Sequence, residues 1–413
     1  MSSRAEREAQ SALRLWLRGL GLATLAHVML PDYDQVGWLG PRLIGLIGAA
    51  LLIFTPRPPP SALHRDMRHL WAMCCLTLAG VKLYTLFALR DVLTQSLLLV
   101  TLYLLGGWGL WRPKRSRLCL IAATWCVSIT YGLAILHKLN VDFLYTPQSC
   151  AIHGFEISLG LMEALSDTST HLSELVEFTH QELRRSPTFC ASVVLGLELS
   201  LAILCARRSP RIWLWGYLFH TPLALTIAPA FGSVMAAGWG AGSVLSRVDP
   251  RRIHRAPRPH LRASAVIWIP LLYGIHGLSP YTGLEMQHSA AMLSNLRIDP
   301  KCANSLIIPH SPYDPYLYIE EVSFGSSSLP KREQILRETI WNLAALHAMQ
   351  RHWCIPEYRP LRIKGSTGGQ TFLIEDLCEA HALRPLDRGS LFPSGWQRFQ
   401  KNLPRRCHPA CVH

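Results

Sequence analysis

Apolar residues in this 413-residue chain come in long runs instead of alternating stripes. A helix crosses the hydrocarbon core of a bilayer in about 20 mostly apolar residues. Runs of that character fall at roughly residues 12–30, 36–55, 68–89, 93–111, 118–137, 188–206, 211–228, 230–246 and 262–279. The first is the weakest, because it carries Arg14 and Arg18. The pattern predicts an all-α polytopic membrane bundle of about eight to nine transmembrane helices over residues 1–279. The N-terminus opens with mixed charges and lacks a compact apolar stretch with a small-residue cleavage site, so no cleavable signal peptide is expected.

Two segments depart from this pattern. Residues 139–187 hold Ile157, Leu161 and Leu165, then Leu172, Leu175 and Phe178, at helical spacing among acidic residues. Helices on the membrane surface or capping the bundle fit that spacing. Residues 280–299 are too short and polar for an ordinary span and read as a re-entrant or interfacial segment. Residues 300–413 read as a small α+β C-terminal extramembrane domain. Pro330 suits a first helical turn, with Leu336, Ile340, Leu343 and Ala344 on one helical face. Residues 360–376 read as a hairpin with a Gly-rich turn.

Composition agrees. Hydrophobic residues make up 49% and charged residues only 16%, against about 25% charged in soluble domains. Mean hydropathy is +0.18 and the pI is 9.4. The net charge of +14 would suit nucleic acid, but its distribution assigns it to topology, and no nucleic-acid partner is expected. Basic residues fill short loops: Arg57, Arg65 and Arg68; Arg112, Lys114, Arg115 and Arg117; Arg207, Arg208 and Arg211; and the run from Arg247 to Arg262. These alternate with acidic or short loops holding Asp32 and Asp34, or Asp142 and Glu156. Positive loops stay cytoplasmic. The N-terminus is therefore expected inside and the C-terminal domain outside a cell (inner) membrane. Cys150, Cys302, Cys354, Cys378, Cys407 and Cys411 would then face an oxidising compartment, where disulfides form. Pairs cannot be assigned from spacing, and unpaired thiols are the alternative. No Cys/His set has zinc spacing, so no metal is expected.

Charges inside a membrane cost about 2.5–3.5 kcal/mol each and often mark function. Glu198 and His220 lie mid-span in consecutive, antiparallel segments. Each is about 8–9 residues from the intervening loop, or roughly 12–14 Å at 1.5 Å per residue. At equal depth they can pair, either to handle a proton or as an interhelical hydrogen bond that holds the bundle together. Lys138 is about 21 residues beyond Arg117, roughly 30 Å along a helix. That places it at the outer boundary, where it either snorkels or serves as an amine base. Lys82 and His276 fall in the outer third of their spans, with Lys82 the rival amine.

The stretch with Tyr131, Lys138, Leu139, Asn140, Asp142 and Phe143, then Ser149, Cys150 and Ala151, resembles the HTTM family, the vitamin K-dependent γ-carboxylase-like proteins. Glu198 with Phe219 and His220 resembles the family's acidic span and following Phe-His. Gly283, Leu284, Met292, Ser294, Asn295, Leu296 and Arg297 are similar to a bacterial family segment. The resemblance covers most of the chain and includes the short bacterial tail. It implies that Lys138 is the base that deprotonates a reduced, vitamin K-like quinone. With O2 this gives a strongly basic alkoxide and an epoxide, and CO2 adds to the resulting substrate carbanion. It implies Lys138, Glu198 and His220 as catalytic candidates, with Tyr131, Asn140 and His276 as cofactor-binding candidates.

The chain also departs from the carboxylase. Gln95 stands where the family histidine falls, and Gln cannot exchange a proton as His does. The tail is too short for the large lumenal substrate-binding region. Two readings remain open: an enzyme using quinol and oxygen on a peptide or small molecule at the outer face, or a non-catalytic accessory protein for maturation or immunity of a secreted peptide. A transporter is less supported, because no inverted repeat or paired broken helices stand out.

Overall fold

The computed structural model describes residues 4–29, 39–54, 63–88, 96–165, 170–207, 215–216, 229–247, 265–283, 294–308, 314, 316–325, 330–379, 381–384, 386 and 403–407. It is mostly helical with a small antiparallel sheet near the C-terminus. Two compact units divide it: Met1–Leu136 with Ala151–Gly277, and His137–Cys150 with Leu278–His413.

The first unit contains helices α1 (Arg4–Val28), α2 (Leu39–Ile53), α3 (Leu63–Ala88), α4 (Ser96–Trp111) and most of α5 (Ser116–Lys138). After α6 (Val141–Tyr145) of the second unit come α7 (Cys150–Leu165), α8 (Thr170–Arg185), α9 (Pro187–Arg207), α10 (Pro229–Arg247) and α11 (Ala265–His276). Among the described residues, three stretches are long and apolar enough to cross a membrane: Asp66–Leu86, Pro113–Lys138 and Pro187–Cys205. Leu39–Ile53, Ser96–Trp111 and Val266–His276 are shorter apolar helices. The expected span at 211–228 lies almost wholly outside the described residues.

Helix α5 sits among several neighbours. Ser128 Oγ donates to Ala202 O of α9 at 3.0 Å. Thr130 Oγ1 meets Tyr273 Oη of α11 at 2.9 Å. Gly238 of α10 lets that helix close on Val127, since a Cβ there would collide with the valine side chain. Trp16 of α1 donates its indole N–H to Ala237 O at 2.7 Å. Leu17, Leu20, Ala72, Leu98, Leu105, Ala123, Val234 and Val266 fill the core. Helix α2 leaves Leu39, Leu43, Ile44 and Ile47 exposed. The amphipathic segment forms α7 and α8, tied by the Arg184–Glu156 ion pair at 2.6 Å. Among its described side chains Ala151, Ile152 and Val176 are buried, while Phe178 is exposed.

In the second unit, β1 (Tyr316–Phe324), β2 (Thr339–Asn342), β3 (Leu361–Thr367), β4 (Gln370–Ile374) and β5 (Leu403–Pro404) form an antiparallel sheet of order β4-β3-β1-β2-β5. The expected hairpin is β3–β4, paired from Ile363↔Ile374 to Thr367↔Gln370. Its two-residue turn, Gly368 and Gly369, has φ of +54° and +80°. Two central residues at positive φ match the twist of the strands and favour glycine. Along β3, Leu361 and Ile363 turn inward while Arg362 and Lys364 turn out.

The continuous helical face through Leu336, Ile340, Leu343 and Ala344 is corrected. Helix α12 (Pro330–Glu338) ends, β2 intervenes, and α13 (Leu343–Trp353) begins. Thr339, Ile340 and Trp341 are β-branched or aromatic, and pairing with β1 and β5 decides their state. Asn342 then caps α13 by accepting from Ala345 N at 2.7 Å. Leu317, Ile319, Leu336, Leu346, Leu361 and Leu377 form the core of this unit. Five of the six cysteines expected to face an oxidising compartment are paired: Cys302–Cys407 and Cys354–Cys378 are disulfides, and Cys150 is also disulfide-bonded, while Cys411 lies outside the described residues.

Candidate functional site

Lys138 is the last residue of α5 and only 5% exposed. Its Nζ lies 5.9 Å from the centre of the Phe143 ring, within range of a cation–π attraction. The chain turns immediately after it. Asn140 is fully buried and caps α6 by accepting from Phe143 N at 2.9 Å. Its amide also donates to His137 O at 2.8 Å and to Ser294 O at 2.5 Å. One side chain thus fixes both sides of the Lys138 turn and clamps it to a segment far along the chain.

That segment returns the contacts. Asn295 Oδ1 accepts from Cys150 N at 2.7 Å. Asn295 has φ of +54°, a left-handed conformation that asparagine tolerates better than most residues. Asn304 donates to Asp142 Oδ2 at 2.8 Å and to Asn295 O at 2.7 Å, and accepts from Arg297 N at 2.8 Å. Backbone bonds Val141 N to Asn304 O and Leu306 N to Leu139 O complete a short antiparallel bridge. Beneath it, Arg297 and Asp299 form an ion pair at 2.8 Å, both essentially buried. The lysine motif, Cys150, and the Ser294–Arg297 motif therefore build one knot within the second unit.

His137, fully buried, places Nδ1 3.2 Å from Tyr281 Oη. Burial raises the Tyr281 phenol to about 12. A neutral phenol beside an imidazole can pass a proton through the imidazole's two nitrogens. Further into this unit, burial, partly offset by the Tyr316 N–H, raises Asp314 to about 6, with Asp299 adding repulsion. Burial also raises the Tyr316 and Tyr318 phenols.

Of the residues expected from sequence, Lys138 and Asn140 belong to the second unit, and Tyr131, Glu198 and His276 to the first. Glu198 is 7% exposed in α9. Tyr131 is 2% exposed and stacks on Trp239 at 6.1 Å. Its phenol lies within electrostatic range of Glu198 and Cys205. The Ser128–Ala202 bond joins α5 to α9 one turn from both Tyr131 and Glu198. His220 and Gln95 lie outside the described residues. Sequence reasoning missed His137, Tyr281 and Asn304. The signal for His137 was its place beside Lys138 in "LHKLN". Among the described residues, no group of three His, Cys, Asp or Glu side chains is arranged to hold a metal ion. No family model, curated protein or solved structure matches the chain.

Proposed function

We propose that this chain is a multi-pass membrane enzyme of HTTM type, with about eight to nine spans. It uses a reduced quinone and oxygen, with Lys138 as proton acceptor, on a peptide or small molecule at the outer face. The observation that carries this reading is the buried Lys138 amine, held against Phe143 by a turn that Asn140 fixes on three sides. A snorkelling lysine needs no such knot.

Topology supports it. The exposed apolar face of α2 suits lipid. Disulfides persist in oxidising compartments, so Cys302–Cys407 and Cys354–Cys378 support an external tail and a cytoplasmic N-terminus at a cell (inner) membrane.

The residues fit a quinol. Phe143 offers a ring face, and Lys138, His137 and Tyr281 offer polar hydrogen-bonding groups. Bound there, a reduced quinone supplies an ionisable hydroxyl and an oxidisable ring. The chain's own task is proton handling: Lys138 Nζ takes a proton, and the His137–Tyr281 pair relays one. In the first unit, Glu198 lies within electrostatic range of the buried Tyr131 phenol, with His220 the expected partner of Glu198.

The test is quinol-dependent oxygen uptake and quinone epoxide formation by purified protein, with labelled bicarbonate to detect CO2 fixation. Wild type is expected to turn over and Lys138→Ala to lose at least about 100-fold. No turnover with any reduced quinone, or an unchanged Lys138→Ala rate, overturns the reading. The competing reading, a non-catalytic accessory protein for a secreted peptide, is favoured by Gln95 in place of a proton-exchanging histidine.

A further inference from the structure

The turn after α5 has its polarity reversed. Asn140 and Asp142 are buried, whereas Val141 and Tyr145 are 37% and 57% exposed. In the segment paired with it, Asn304 and Ser305 are buried, whereas Leu306 and Ile307 are 53% and 50% exposed. A water-facing turn does the opposite, with polar side chains out and apolar ones in.

The exposed apolar side chains share one surface. Asn140 and Ser305 oppose each other in the bridge and turn inward. Neighbours along an extended segment turn the other way, which puts Val141 and Leu306 outward. Tyr145 lies four residues after Val141 in α6, on the same helical face. A contiguous apolar patch of this kind marks an interaction site. The sheet of the same unit contrasts with it, since Lys364–Glu321 and Arg362–Glu375 are exposed ion pairs in and beside the strands.

The patch is also prepared for an apolar medium. Val141 N donates to Asn304 O, and Leu306 N to Leu139 O. Ser305 Oγ accepts from Ile307 N at 3.4 Å and from Ile308 N at 3.3 Å. These four amides are thus bonded inside the protein, as contact with lipid requires.

Chain length fixes the depth. The stretch Pro113–Lys138 has 26 residues, about 39 Å of helix at 1.5 Å per residue. A bilayer with its headgroup layers is about 40–45 Å thick, around a hydrocarbon core of about 30 Å. A helix of that length centred in a bilayer ends within the headgroup layer. Val141 follows Lys138 by three residues, at most about 11 Å of chain. Tyrosine is enriched at that level.

Given the reading of α5 as a span, we propose that the surface of Val141, Tyr145, Leu306 and Ile307 docks on bilayer lipid. It sits at the boundary of headgroups and acyl chains and holds the Lys138 turn at that depth. No role of Lys138 in catalysis is needed.

The test is photocrosslinking of the purified full-length protein in phosphatidylcholine vesicles, with adducts mapped by peptide mass spectrometry. One photolipid carries a diazirine near the glycerol end of an acyl chain, and a second carries it near the methyl end. Trp125 of α5 and Leu199 of α9, both exposed within membrane-length stretches, report whether those helices face lipid. Leu373 of β4, exposed and paired with Lys364, reports indiscriminate labelling of apolar side chains. Tyr145, Leu306 and Ile307 are expected to be labelled chiefly by the first lipid, Trp125 and Leu199 by the second, and Leu373 by neither. Adducts at Trp125 and Leu199 with none at Tyr145, Leu306 or Ile307 overturn the proposal and leave the membrane reading standing. The patch then belongs to a protein or peptide partner. No adduct at Trp125 and Leu199 overturns the membrane reading, and the proposal with it. Labelling of Leu373 equal to that of Leu306 and Ile307 also overturns the proposal.

Discussion

The Asn140 side-chain amide donates to the Ser294 carbonyl oxygen at 2.5 Å across 154 residues of sequence. The same side chain caps α6 and holds the carbonyl of His137. Two separate parts of the chain are therefore positioned by one residue next to the buried amine.

Asn140→Ala removes that clamp. It strips a helix cap and leaves the His137 and Ser294 carbonyls without this donor. The expected cost is about 2–4 kcal/mol. Thermal unfolding in detergent, followed by tryptophan emission, measures it. A loss under about 0.5 kcal/mol, the size of an ordinary surface substitution, would show that the clamp is redundant.

Arg297 and Asp299 make a sharper case. Their pair is 1% and 0% exposed at 2.8 Å. Arg297→Met strands a buried carboxylate and is expected to cost about 3–5 kcal/mol. The double variant Arg297→Met, Asp299→Leu is expected to recover most of that loss. Additive losses in the double-mutant cycle would contradict the assignment.

The disulfides differ in loop size. Cys354–Cys378 spans 24 residues and Cys302–Cys407 spans 105. Chain-entropy arguments give about 3.5 and about 4.7 kcal/mol respectively. Replacing the Cys302–Cys407 pair by serines is expected to lower the unfolding midpoint more than replacing the shorter-loop pair. Alkylation of the non-reduced protein followed by mass spectrometry checks both pairings directly. Modification of all four thiols without reductant would rule them out.

Asp314 gives a pH dependence with a definite sign. Its folded value, about 6, exceeds its ordinary 3.8, mainly because burial disfavours the charge. The folded state therefore binds the proton more tightly than the unfolded state. Stability is lost as pH rises from about 4 through about 6. Asp299, Lys301, Tyr316 and Tyr318 surround the group. Hydrogen exchange at β1 amides is expected to be slower at pH 5 than at pH 7, after correction for intrinsic rates. Asp314→Asn should flatten that difference. A wild-type profile with the opposite slope would refute it.

Legibility varied with the range of the interaction. The β3–β4 hairpin was readable because alternation and a Gly-Gly turn are local signals. Residues 336–344 were misread because their spacing also fits a helix, and only pairing with β1 and β5 resolves it. Cysteine positions implied an oxidising side, but spacing cannot choose partners. Sheet topology brings Cys354, just after α13, beside Cys378, just after β4. The Asn140–Ser294 and Asp142–Asn304 contacts each span more than 150 residues. Only a resemblance flagged those segments together. His137–Tyr281 was missed because a histidine beside a boundary lysine looks like an interfacial residue.

The two cysteine pairs are nested. Residues 302–407 form one covalent ring, and residues 354–378 close a smaller ring inside it. A protease that cuts once within the outer ring opens a gap but releases no fragment, because both ends remain tied to each other through the Cys302–Cys407 bond. Cutting twice between 354 and 378 is likewise needed to free anything from the inner ring. The chain between residues 302 and 407 would then tolerate single nicks without losing a fragment.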